Sequence, residues 1–588
     1  MNSHKDIFRN SFLSWGNFLK ELKTLEDLLL CSIKFDSGKE TFYLVPFTYM
    51  DLENLEKIEL LQSWREKNQF AFPSRFPVTQ QGTIKWLNKQ VLSNGARVLF
   101  WVVNSKFKEI GHVGISIVGE GAELELDNVL RGVSGGKGVM SQAVHAIEKL
   151  VEEEFSLEFL TLRVLQSNSH AVDFYTKLGY HQINFTPLRE VIEGDTVNLV
   201  PGTPSVDSFL GMSKNILSSQ GIPEFILTAG PSILSRESKY VKDAVTQGWN
   251  SQSSDFLNKF ESSFAEYVGS KYAMATSSCS GALHLALLAL GIGPGDEVIV
   301  PDITWVATAS AVMYTGATPI FADIDPLDWT ISLDSIKSLI TEKTKAIIPV
   351  HLYGFASAMK EIMMIAHDNN LFVVEDAAPA IGTEIEGTRV GTFGDFGCYS
   401  FQGAKLLVTG EGGMLVTNNE EYFKRAKKLQ DHGRKPGTFW IEQLGYKYKM
   451  NNITAALGLA QIERADNQIY RKRRINTWYR ENLSDLTSIR FQEESLGTKS
   501  ICWLTSFSLL NESRVSRDQL IEILKVHKID SRPTFPAISQ YPIWGYDPQV
   551  QSVAKVIGEG GINLPSGVLI SKAAVDKVCE VILRTLSK

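Results

Sequence analysis

The strongest constraint on the fold is an alternation of short apolar strands with helices across residues 223–588. Helices such as Gly281–Leu290 separate the strands, and a strand followed by a helix returns parallel to the strand before it. The alternation therefore predicts an α/β domain with a mostly parallel sheet and helices on both faces. The strands that define it are predicted at Glu297–Val300, Pro319–Phe321, Ala346–Val350 and Leu371–Val374.

The first part of the chain has an α+β pattern instead. A chain of 588 residues is too long for one hydrophobic core, and a short polar segment precedes Pro223. We predict a helical extension at 1–40, an α+β domain at 41–215, a linker at 216–222 and the α/β domain at 223–588. Within the α+β domain the pattern predicts strands at Thr41–Val45, Val98–Val103, Glu109–Val118, Glu123–Leu130 and Phe159–Val164, and helices at Val139–Glu154 and Ser169–Leu178.

Composition argues against several classes of function. The net charge is −7 and no dense Lys/Arg cluster occurs, so nucleic acid is not an expected partner. No uncharged apolar run reaches about 18 residues, so we expect no membrane span. Five scattered cysteines without zinc-like spacing predict neither a metal site nor a disulfide framework. Together with a polar start that lacks a signal peptide, they predict a cytoplasmic protein.

Two residues of the α/β domain are of the types that pyridoxal 5′-phosphate (PLP) chemistry requires at a minimum. Lys405 lies in a loop of small residues and can form a Schiff base, and Asp376 ends an apolar strand and can hold a pyridinium nitrogen. Ligands of open α/β sheets bind at strand ends and the loops that follow them. The pair therefore predicts a PLP site.

Four further residues can complete this site, although each has an ordinary structural interpretation. Ser280 and Gly281 lie where a strand gives way to a helix, whose N-terminus can hold phosphate, but Ser and Gly are also common helix caps. Trp305 can stack on a pyridine ring or belong to the core. Ser400 can donate to phosphate. In combination and in this order, these residues favour the cofactor site.

Long stretches of the α/β domain resemble the DegT/StrS family of PLP-dependent nucleotide-sugar aminotransferases, which have fold type I. The matching stretches are Ala286–Glu297, Tyr314–Asp325, Pro349–Gly354, Val374–Gly382, Gly391–Asn418, Leu444–Arg464 and Gly561–Gly567. The resemblance implies a Schiff base on Lys405, the pyridine nitrogen on Asp376, phosphate contacts from Ser280, Gly281 and Ser400, and stacking by Trp305.

The resemblance also implies a homodimer in which the neighbouring subunit completes the phosphate pocket. Lys447 and Lys449 stand where the family often has Asn and Arg for this purpose, and a lysine can reach phosphate as a point charge. Pro379 stands where the family often has His or Gln, and its side chain offers no donor. Lys405 argues against the dehydratase branch of the family, which has histidine at that position.

The implied reaction takes an amine from glutamate and transfers it to a nucleotide-linked ketosugar. Lys405 moves the proton, first as a general base and then as a general acid. The stretches Ser531–Phe535 and Gly561–Gly567 are most similar to members that aminate a 4-keto-6-deoxy sugar.

In the α+β domain, Asn168–Tyr180 is closely similar to the terminal motif of GNAT-type acetyltransferases. The structural alternative is an amphipathic helix that ends at a glycine cap. The resemblance implies acetyl-CoA as a cosubstrate, with Asn168 among the residues that bind it. It also implies that Tyr175 protonates the departing CoA thiolate.

A glycine-rich loop at Arg131–Met140 joins a predicted strand to a predicted helix. Backbone amides of such a loop can hold the pyrophosphate of acetyl-CoA at the helix N-terminus. Gly136 and Gly138 fit the GNAT pattern, but Arg131 lies five rather than three residues before the first of them. We therefore expect the geometry of this loop to differ from that of the family.

Acidic residues of the strand before this loop are the expected source of a general base. Glu123, Glu125 and Asp127 share one face by period-two spacing, and we favour Glu125 or Asp127. The alternative is a solvated acidic strand face. Trp64-Arg65 resembles the acceptor side of GNAT enzymes that acetylate amino sugars.

These observations leave several functions open. The first is a bifunctional enzyme that aminates a nucleotide-linked sugar and then N-acetylates the product. The second is an aminotransferase whose GNAT domain is a binding or regulatory module, or acts on another amine such as that of a protein. The third is a PLP fold that acts as a non-catalytic sensor, against which an intact Lys405 argues.

Overall fold

The computed structural model describes residues 4–119, 123–133, 136–217, 221–435, 437–510, 513–544 and 552–587. The chain divides into two compact units. The first comprises residues up to 220 together with Leu234–Lys239, and the second comprises Gly221–Ile233 and Tyr240–Lys588. Residues 134–135 of the predicted loop and 218–220 of the predicted linker lie outside the described ranges.

The first unit is built on a mostly antiparallel sheet, in which ten strands are described in the order β1-β2-β4-β5-β6-β7-β10-β8-β9-β3. Its strands are β1 (Ile33–Ser37), β2 (Glu40–Pro46), β3 (Ser74–Arg75), β4 (Arg97–Asn104), β5 (Glu109–Val118), β6 (Glu123–Arg131), β7 (Phe159–Leu165), β8 (His181–Glu193), β9 (Thr196–Pro201) and β10 (Asp207–Asn215). Its helices are α1 (His4–Lys20), α2 (Leu25–Leu30), α3 (Leu55–Lys67), α4 (Gln80–Trp86), a π-helical turn (Leu87–Leu92), α5 (Val139–Phe155) and α6 (Ser169–Lys177).

The segment predicted as a helical extension contains more than helices. It holds α1 and α2, but also β1, which pairs with β2 at the edge of the sheet. Helix α1 is part of the same core, because Phe8, Phe12 and Trp15 pack against Phe155. The prediction missed β1 because it is a five-residue edge strand that alternates half-buried with exposed side chains.

Strands β6 and β7 separate in the middle of this sheet. Their parallel pairing is confined to Glu125–Leu126 opposite Thr161–Leu162. Beyond that point β6 continues to Arg131, with an irregularity in its pairing to β5 where Asn128 has a positive φ of 50°. A bulge of this kind bends a strand and redirects its side chains. The two strands therefore diverge beside the bulge.

The second unit has a central seven-stranded sheet in the order β11-β19-β18-β15-β14-β12-β13, with smaller sheets β17-β16-β21 and β20-β22-β24-β23. The central strands are β11 (Tyr272–Thr276), β12 (Glu297–Pro301), β13 (Thr318–Ala322), β14 (Thr344–Ile347), β15 (Phe372–Asp376), β18 (Phe396–Ser400) and β19 (Gly413–Thr417). The others are β16 (Glu384–Ile385), β17 (Thr388–Arg389), β20 (Ile489–Phe491), β21 (Thr498–Lys499), β22 (Ser506–Leu509), β23 (Arg532–Pro533) and β24 (Gly561–Asn563).

The remaining helices follow from Ser235 onward. They are α7 (Ser235–Gln247), α8 (Asp255–Val268), α9 (Cys279–Ala289), α10 (Ala307–Tyr314), α11 (Leu333–Leu339), α12 (Met359–Asp368), α13 (Glu420–Gln430), α14 (Asn452–Ile462), α15 (Ala465–Asn482), α16 (Arg517–Val526), α17 (Val553–Gly560) and α18 (Lys572–Leu586).

Strands β13, β12, β14, β15 and β18 run parallel, and β19 is antiparallel to both of its neighbours. The mostly parallel sheet predicted from the sequence is thus confirmed. All parallel strands present their carboxyl ends at one edge of the sheet, which is where ligands of open α/β sheets bind. Asp376 ends β15 at this edge, and Ser400 ends β18 beside it.

Candidate functional site

A cavity of about 510 Å³ lies at the carboxyl edge of the central sheet. It brings together five of the residues predicted from the sequence, namely Ser280, Trp305, Asp376, Ser400 and Lys405. They come from four separate segments of the chain, so only the fold makes them neighbours. Gly281, Lys447 and Lys449 are not among the residues that line this cavity.

The N-terminus of α9 faces one end of the cavity. Ser278 caps the helix, because its Oγ accepts from the amide of Gly281 at 3.1 Å. Cys279 and Ser280 of the first turn line the cavity. A helix N-terminus attracts anions through its amides and dipole. The arrangement therefore suits a phosphate group, and the capping interpretation of this serine-rich stretch holds as well.

The Asp376 carboxylate is buried and held in one orientation. One oxygen accepts from Thr308 Oγ at 2.7 Å, and the other accepts from the amide of Ala378 at 3.1 Å. Burial raises the pKa of Asp376, while these hydrogen bonds and the nearby Lys405 oppose the rise. Thr308 could not be predicted from the sequence, because Thr308 becomes a neighbour of Asp376 only through the packing of α10.

Lys405 is a partly buried amine without an ion pair among the described residues. Burial lowers its pKa to about 8, against the opposing effect of Asp376 and Cys279. Its Nζ lies 3.8 Å from the ring centroid of Trp503. A lysine near neutrality can act both as a base and as an acid. Trp503 was also missed from the sequence, since it belongs to no motif.

Trp305 and Ser400 occupy different environments around the cavity. Trp305 is largely exposed, and its ring lies 5.8 Å from that of Phe535. Its flat face is thus available to a ligand, in contrast to the alternative of a core tryptophan. Ser400 is buried, and its Oγ accepts a weak hydrogen bond of 3.3 Å from the amide of Gln402.

The chemistry of this donor set fits PLP. A helix N-terminus and a serine suit the phosphate, an exposed indole face suits the ring, and a buried carboxylate suits the pyridine nitrogen. An amine of lowered pKa, that of Lys405, lies on the wall of the same cavity.

Lys447 and Lys449 lie away from their own chain's cavity. Lys447 Nζ pairs with Asp431 at 3.1 Å. The backbone of Lys449 forms an isolated bridge with Thr276. The loop before them exposes four large apolar side chains to solvent, namely Phe439, Trp440, Ile441 and Leu444.

The acidic residues predicted as general bases in the first unit are both ion-paired. The two carboxylate oxygens of Glu125 accept from Arg163 Nε at 2.8 and 3.0 Å. The Asp127 carboxylate lies 2.6 Å from Arg97 Nε. Glu125 is buried, and Asp127 is partly buried. Neither carboxylate is part of a solvated acidic face.

The other predicted residues of this unit lie at two helix N-termini. Gly138 precedes α5 with a φ of 85°, a conformation that favours glycine, and Gly136 lies two residues before it. Asn168 caps α6, since its Oδ1 accepts from the amide of Ala171 at 3.2 Å. Tyr175 on α6 is buried. Burial is the main cause of the raised pKa of its hydroxyl, and the negative charge of Asp127 raises it further.

A second cavity in the first unit lies among α3, α4 and the bulge between β5 and β6. It is lined mostly by apolar side chains, together with Arg65 and His112. His112 Nδ1 contacts the carbonyl oxygen of Asn128 at 2.6 Å. Since a carbonyl only accepts, Nδ1 carries the hydrogen and Nε2 keeps its lone pair. Trp64 packs against the His112 ring. No sequence motif marked His112 as a candidate site residue.

Comparison with known proteins assigns a family to each part of the chain. Residues 231–583 match the DegT/DnrJ/EryC1/StrS aminotransferase family, and residues 41–181 match the acetyltransferase (GNAT) domain. The chain belongs to the DegT/DnrJ/EryC1/StrS aminotransferase family. It is a PLP-dependent sugar aminotransferase that carries a GNAT domain before the aminotransferase domain. The two resemblances and the fold class predicted from the sequence are thereby confirmed.

Individual relatives match the second part of the chain. The chain is 41% identical over 358 residues to GDP-perosamine synthase of Escherichia coli O157:H7, and this match covers 61% of this chain and 97% of the relative. It is 36% identical over 329 residues to UDP-N-acetyl-3-dehydro-alpha-D-glucosamine 3-aminotransferase of Acidithiobacillus ferrooxidans, over 55% of this chain and 87% of the relative. The solved structure of the putative sugar aminotransferase Spr1654 from Streptococcus pneumoniae, in its PMP form, matches with a TM-score of 0.59 and 26% identity, over 61% of this chain and 97% of that one.

Among the described residues, no helix combines the length and apolar character needed to cross a membrane.

Proposed function

We propose that this chain transfers the amine of glutamate to a nucleotide-linked 4-keto-6-deoxy sugar and then N-acetylates that amine with acetyl-CoA. The observation that carries the proposal is the cavity that joins Lys405 and Asp376 in a chain that also contains a GNAT domain. The amine made by the first reaction is the type of nucleophile that the second requires. We place the protein in the cytoplasm, which fits its five buried cysteines, none of which forms a disulfide within the described residues.

For amination, each cavity residue has a separate task. PLP, when bound, supplies an electron sink for the bond-breaking step. Asp376 keeps a proton on the pyridine nitrogen. Ser280 and Ser400 bind the phosphate, and Trp305 packs on the ring, whereas the amide of Gly281, which the family resemblance also implies as a phosphate contact, caps its own helix on Ser278. Lys405 takes the proton from the amine donor and returns it to a different carbon.

We propose that a second copy of the chain completes the phosphate pocket through Lys447 and Lys449. Neither lysine lines the cavity of its own chain. The loop just before them exposes Phe439, Trp440 and Leu444, and exposed apolar side chains in one loop mark an interaction surface. A homodimer that buries this loop also brings both lysines toward a neighbouring site.

For acetyl transfer, we place acetyl-CoA where β6 and β7 separate. The amides at Gly136 and Gly138, at the N-terminus of α5, hold the pyrophosphate, and Asn168 lies at the start of the next helix. Amine attack on the thioester carbon breaks the C–S bond, and the sulfur takes the Tyr175 proton. Burial raises the pKa of Tyr175, so its hydroxyl carries the proton before the thiolate forms, although the same rise makes Tyr175 a weaker acid.

The proton that the amine loses needs an acceptor, for which Glu125, Asp127 and His112 are the candidates. Both carboxylates are occupied by ion pairs with arginines. His112 lines the cavity of the first unit and, with its hydrogen on Nδ1, keeps a lone pair at Nε2. Burial and the Arg65 charge lower the pKa of His112 to about 4, so the imidazole is neutral at physiological pH but is a weak base. The position of His112 in the cavity wall and its available lone pair, rather than its basicity, favour it.

The relatives support a nucleotide-linked sugar but differ in its identity. One is named for a GDP-linked sugar and another for a UDP-linked sugar. The 3-position in the second name differs from the 4-keto substrate that we propose. The nucleotide and the position of amination are therefore to be read from the product.

A second candidate is an aminotransferase whose GNAT domain binds a ligand without turnover, or acts on another amine. The ion pairs of Glu125 and Asp127 favour it, since they occupy the carboxylates expected to act as bases.

The test is to incubate the purified protein and PLP with glutamate and a panel of GDP-, UDP- and dTDP-linked ketosugars, with and without acetyl-CoA. We expect an aminosugar without acetyl-CoA and an N-acetylated aminosugar with it, both read by product mass. An amine that stays unacetylated would support the second candidate. The absence of any amine across the panel would contradict the proposed substrate class.

A further inference from the structure

Trp503 lies against Lys405 in the cavity, where no role has been assigned to it. The Nζ of Lys405 is 3.8 Å from the ring centroid, and Trp503 lines the same cavity. The indole Nε1 donates to the carbonyl of Ala404 at 2.9 Å, which ties the ring to the loop that carries the lysine. The hydrogen bond to Ala404, the residue before Lys405, therefore holds the face of the indole ring toward the lysine amine.

Trp503 is held in place from two further directions. Its amide donates to the carbonyl of Tyr353 at 2.9 Å, and its own carbonyl accepts from Lys472 Nζ at 2.8 Å. The Tyr353 ring lies 6.1 Å from the indole. Lys472 is fully buried on α15 and also donates to the carbonyl of Ser566. This number of backbone contacts fixes the position of the indole before any ligand binds.

We infer that Trp503 is a positioning residue that receives the amino group of Lys405 whenever this group is not bonded to the cofactor. The amine donor displaces Lys405, and the lysine nitrogen then takes a proton as the C–H bond of the donor breaks. PLP, when bound, would take up the electron pair of that bond as its electron sink, and Lys405 would become an ammonium ion. The face of an indole attracts such a cation. Trp503 thus stabilises the charged lysine and keeps it near the carbon that receives the proton next.

Two other groups act on the charge of Lys405. The carboxylate of Asp376 and the thiol of Cys279 favour its protonated form, whereas burial opposes it. Trp503 has no titratable group, so it can be changed without altering the charges in the cavity. Its effect on the lysine can therefore be separated from theirs. The inference depends on the aminotransferase activity and not on acetyl transfer.

The experiment measures the pKa of Lys405 in the full-length protein after glutamate has converted the bound cofactor to its pyridoxamine form, which leaves the lysine amine free. The pKa is read from the pH dependence of the rate at which acetic anhydride modifies Lys405, followed by peptide mass. The proteins compared are wild type, Trp503→Phe, Trp503→Leu and a Trp544→Phe control, since Trp544 does not line the cavity.

We expect Trp503→Leu to lower the pKa of Lys405 by about 0.4 to 1.5 pH units, and Trp503→Phe to lower it by less, because a cation over an aromatic ring gains about 0.5 to 2 kcal/mol. Trp544→Phe should leave it unchanged. If Trp503→Leu does not fold, tetrafluorotryptophan at position 503 keeps the shape of the ring but weakens its negative face, and the same fall is expected. An unchanged pKa in the folded leucine or fluorinated variant would overturn the inference.

Discussion

The two candidate sites use charged residues in opposite ways. In the second unit, Lys405 is partly buried, has no ion pair among the described residues and faces a cavity. In the first unit, Glu125 and Asp127 each lie against an arginine. Taking a charge out of water is costly unless the charge is paired. A lysine that is left unpaired on a cavity wall therefore indicates chemistry, whereas a paired carboxylate has a sufficient structural reason to be present.

Replacing Lys405 has the largest expected effect on activity, and it distinguishes the reaction of the second unit from that of the first. Lys405→Ala should lower amination by roughly 10³-fold or more, because both covalent binding and proton transfer are lost. The visible absorbance band of lysine-bound PLP should vanish. Acetylation of a supplied aminosugar should continue at the wild-type rate.

The exposed Lys424, on α13, provides the control, and Lys424→Ala should leave both reactions intact. Amination that survives in Lys405→Ala would show that the lysine is not the essential amine.

Tyr175 tests the first unit in the same manner. Tyr175→Phe should slow acetyl transfer by roughly 10²- to 10³-fold, since the thiolate then leaves without a proton donor. Amination should be unchanged. Initial rates of CoA release with a supplied aminosugar measure the effect, and Tyr43→Phe, on β2, is the matched control. Equal rates in the two variants would remove Tyr175 from the reaction.

The neighbouring residues Glu375 and Asp376 distinguish a structural carboxylate from a functional one. Glu375 is fully buried and accepts from the amides of Gly391, Phe393 and Gly394, while His351 also contacts it. Glu375→Gln should cost about 2 to 3 kcal/mol of stability, because an amide nitrogen replaces an acceptor.

Thermal unfolding of the holoprotein measures this loss. Asp376→Asn should lower the Tm less than Glu375→Gln does, yet abolish amination. The reverse order of stabilities would mean that Asp376 is the structural member of the pair.

His112 gives a smaller effect that depends on pH. Its ordinary pKa of about 6.5 applies to the unfolded chain, whereas burial lowers the pKa in the folded protein to about 4. Between these values the unfolded state binds more protons, so stability falls as the pH falls. The expected loss from pH 7 to pH 5 is about 2 kcal/mol.

His112→Gln should remove this part of the pH dependence. Urea unfolding followed by pulse proteolysis, with peptides of the first unit as the readout, measures it at both pH values. An identical pH dependence in wild type and variant would contradict a buried neutral imidazole.

The strand–helix alternation was sufficient to predict the parallel sheet, because the hydrophobic period of a strand or a helix can be recognised within a short stretch of sequence. Lys405 and Asp376 were predictable for a related reason, since each lies at a recognisable strand end or loop. Thr308 and Trp503 were not, because they meet these residues only after the chain has folded.

The same limit applies to the first unit. Arg97 and Arg163 lie on β4 and β7, so the sequence pattern of β6 could not show that its carboxylates are paired. The bulge at Asn128, which places its carbonyl against His112, left no periodic signal either.

The central claim is that one chain both aminates and acetylates the same sugar. The most direct test supplies ¹⁵N-glutamate, ¹³C-acetyl-CoA and the ketosugar that the panel identifies, and measures the mass of the product. We predict a single sugar that contains both labels. A sugar that contains ¹⁵N but no ¹³C would contradict the claim and leave the chain with amination alone.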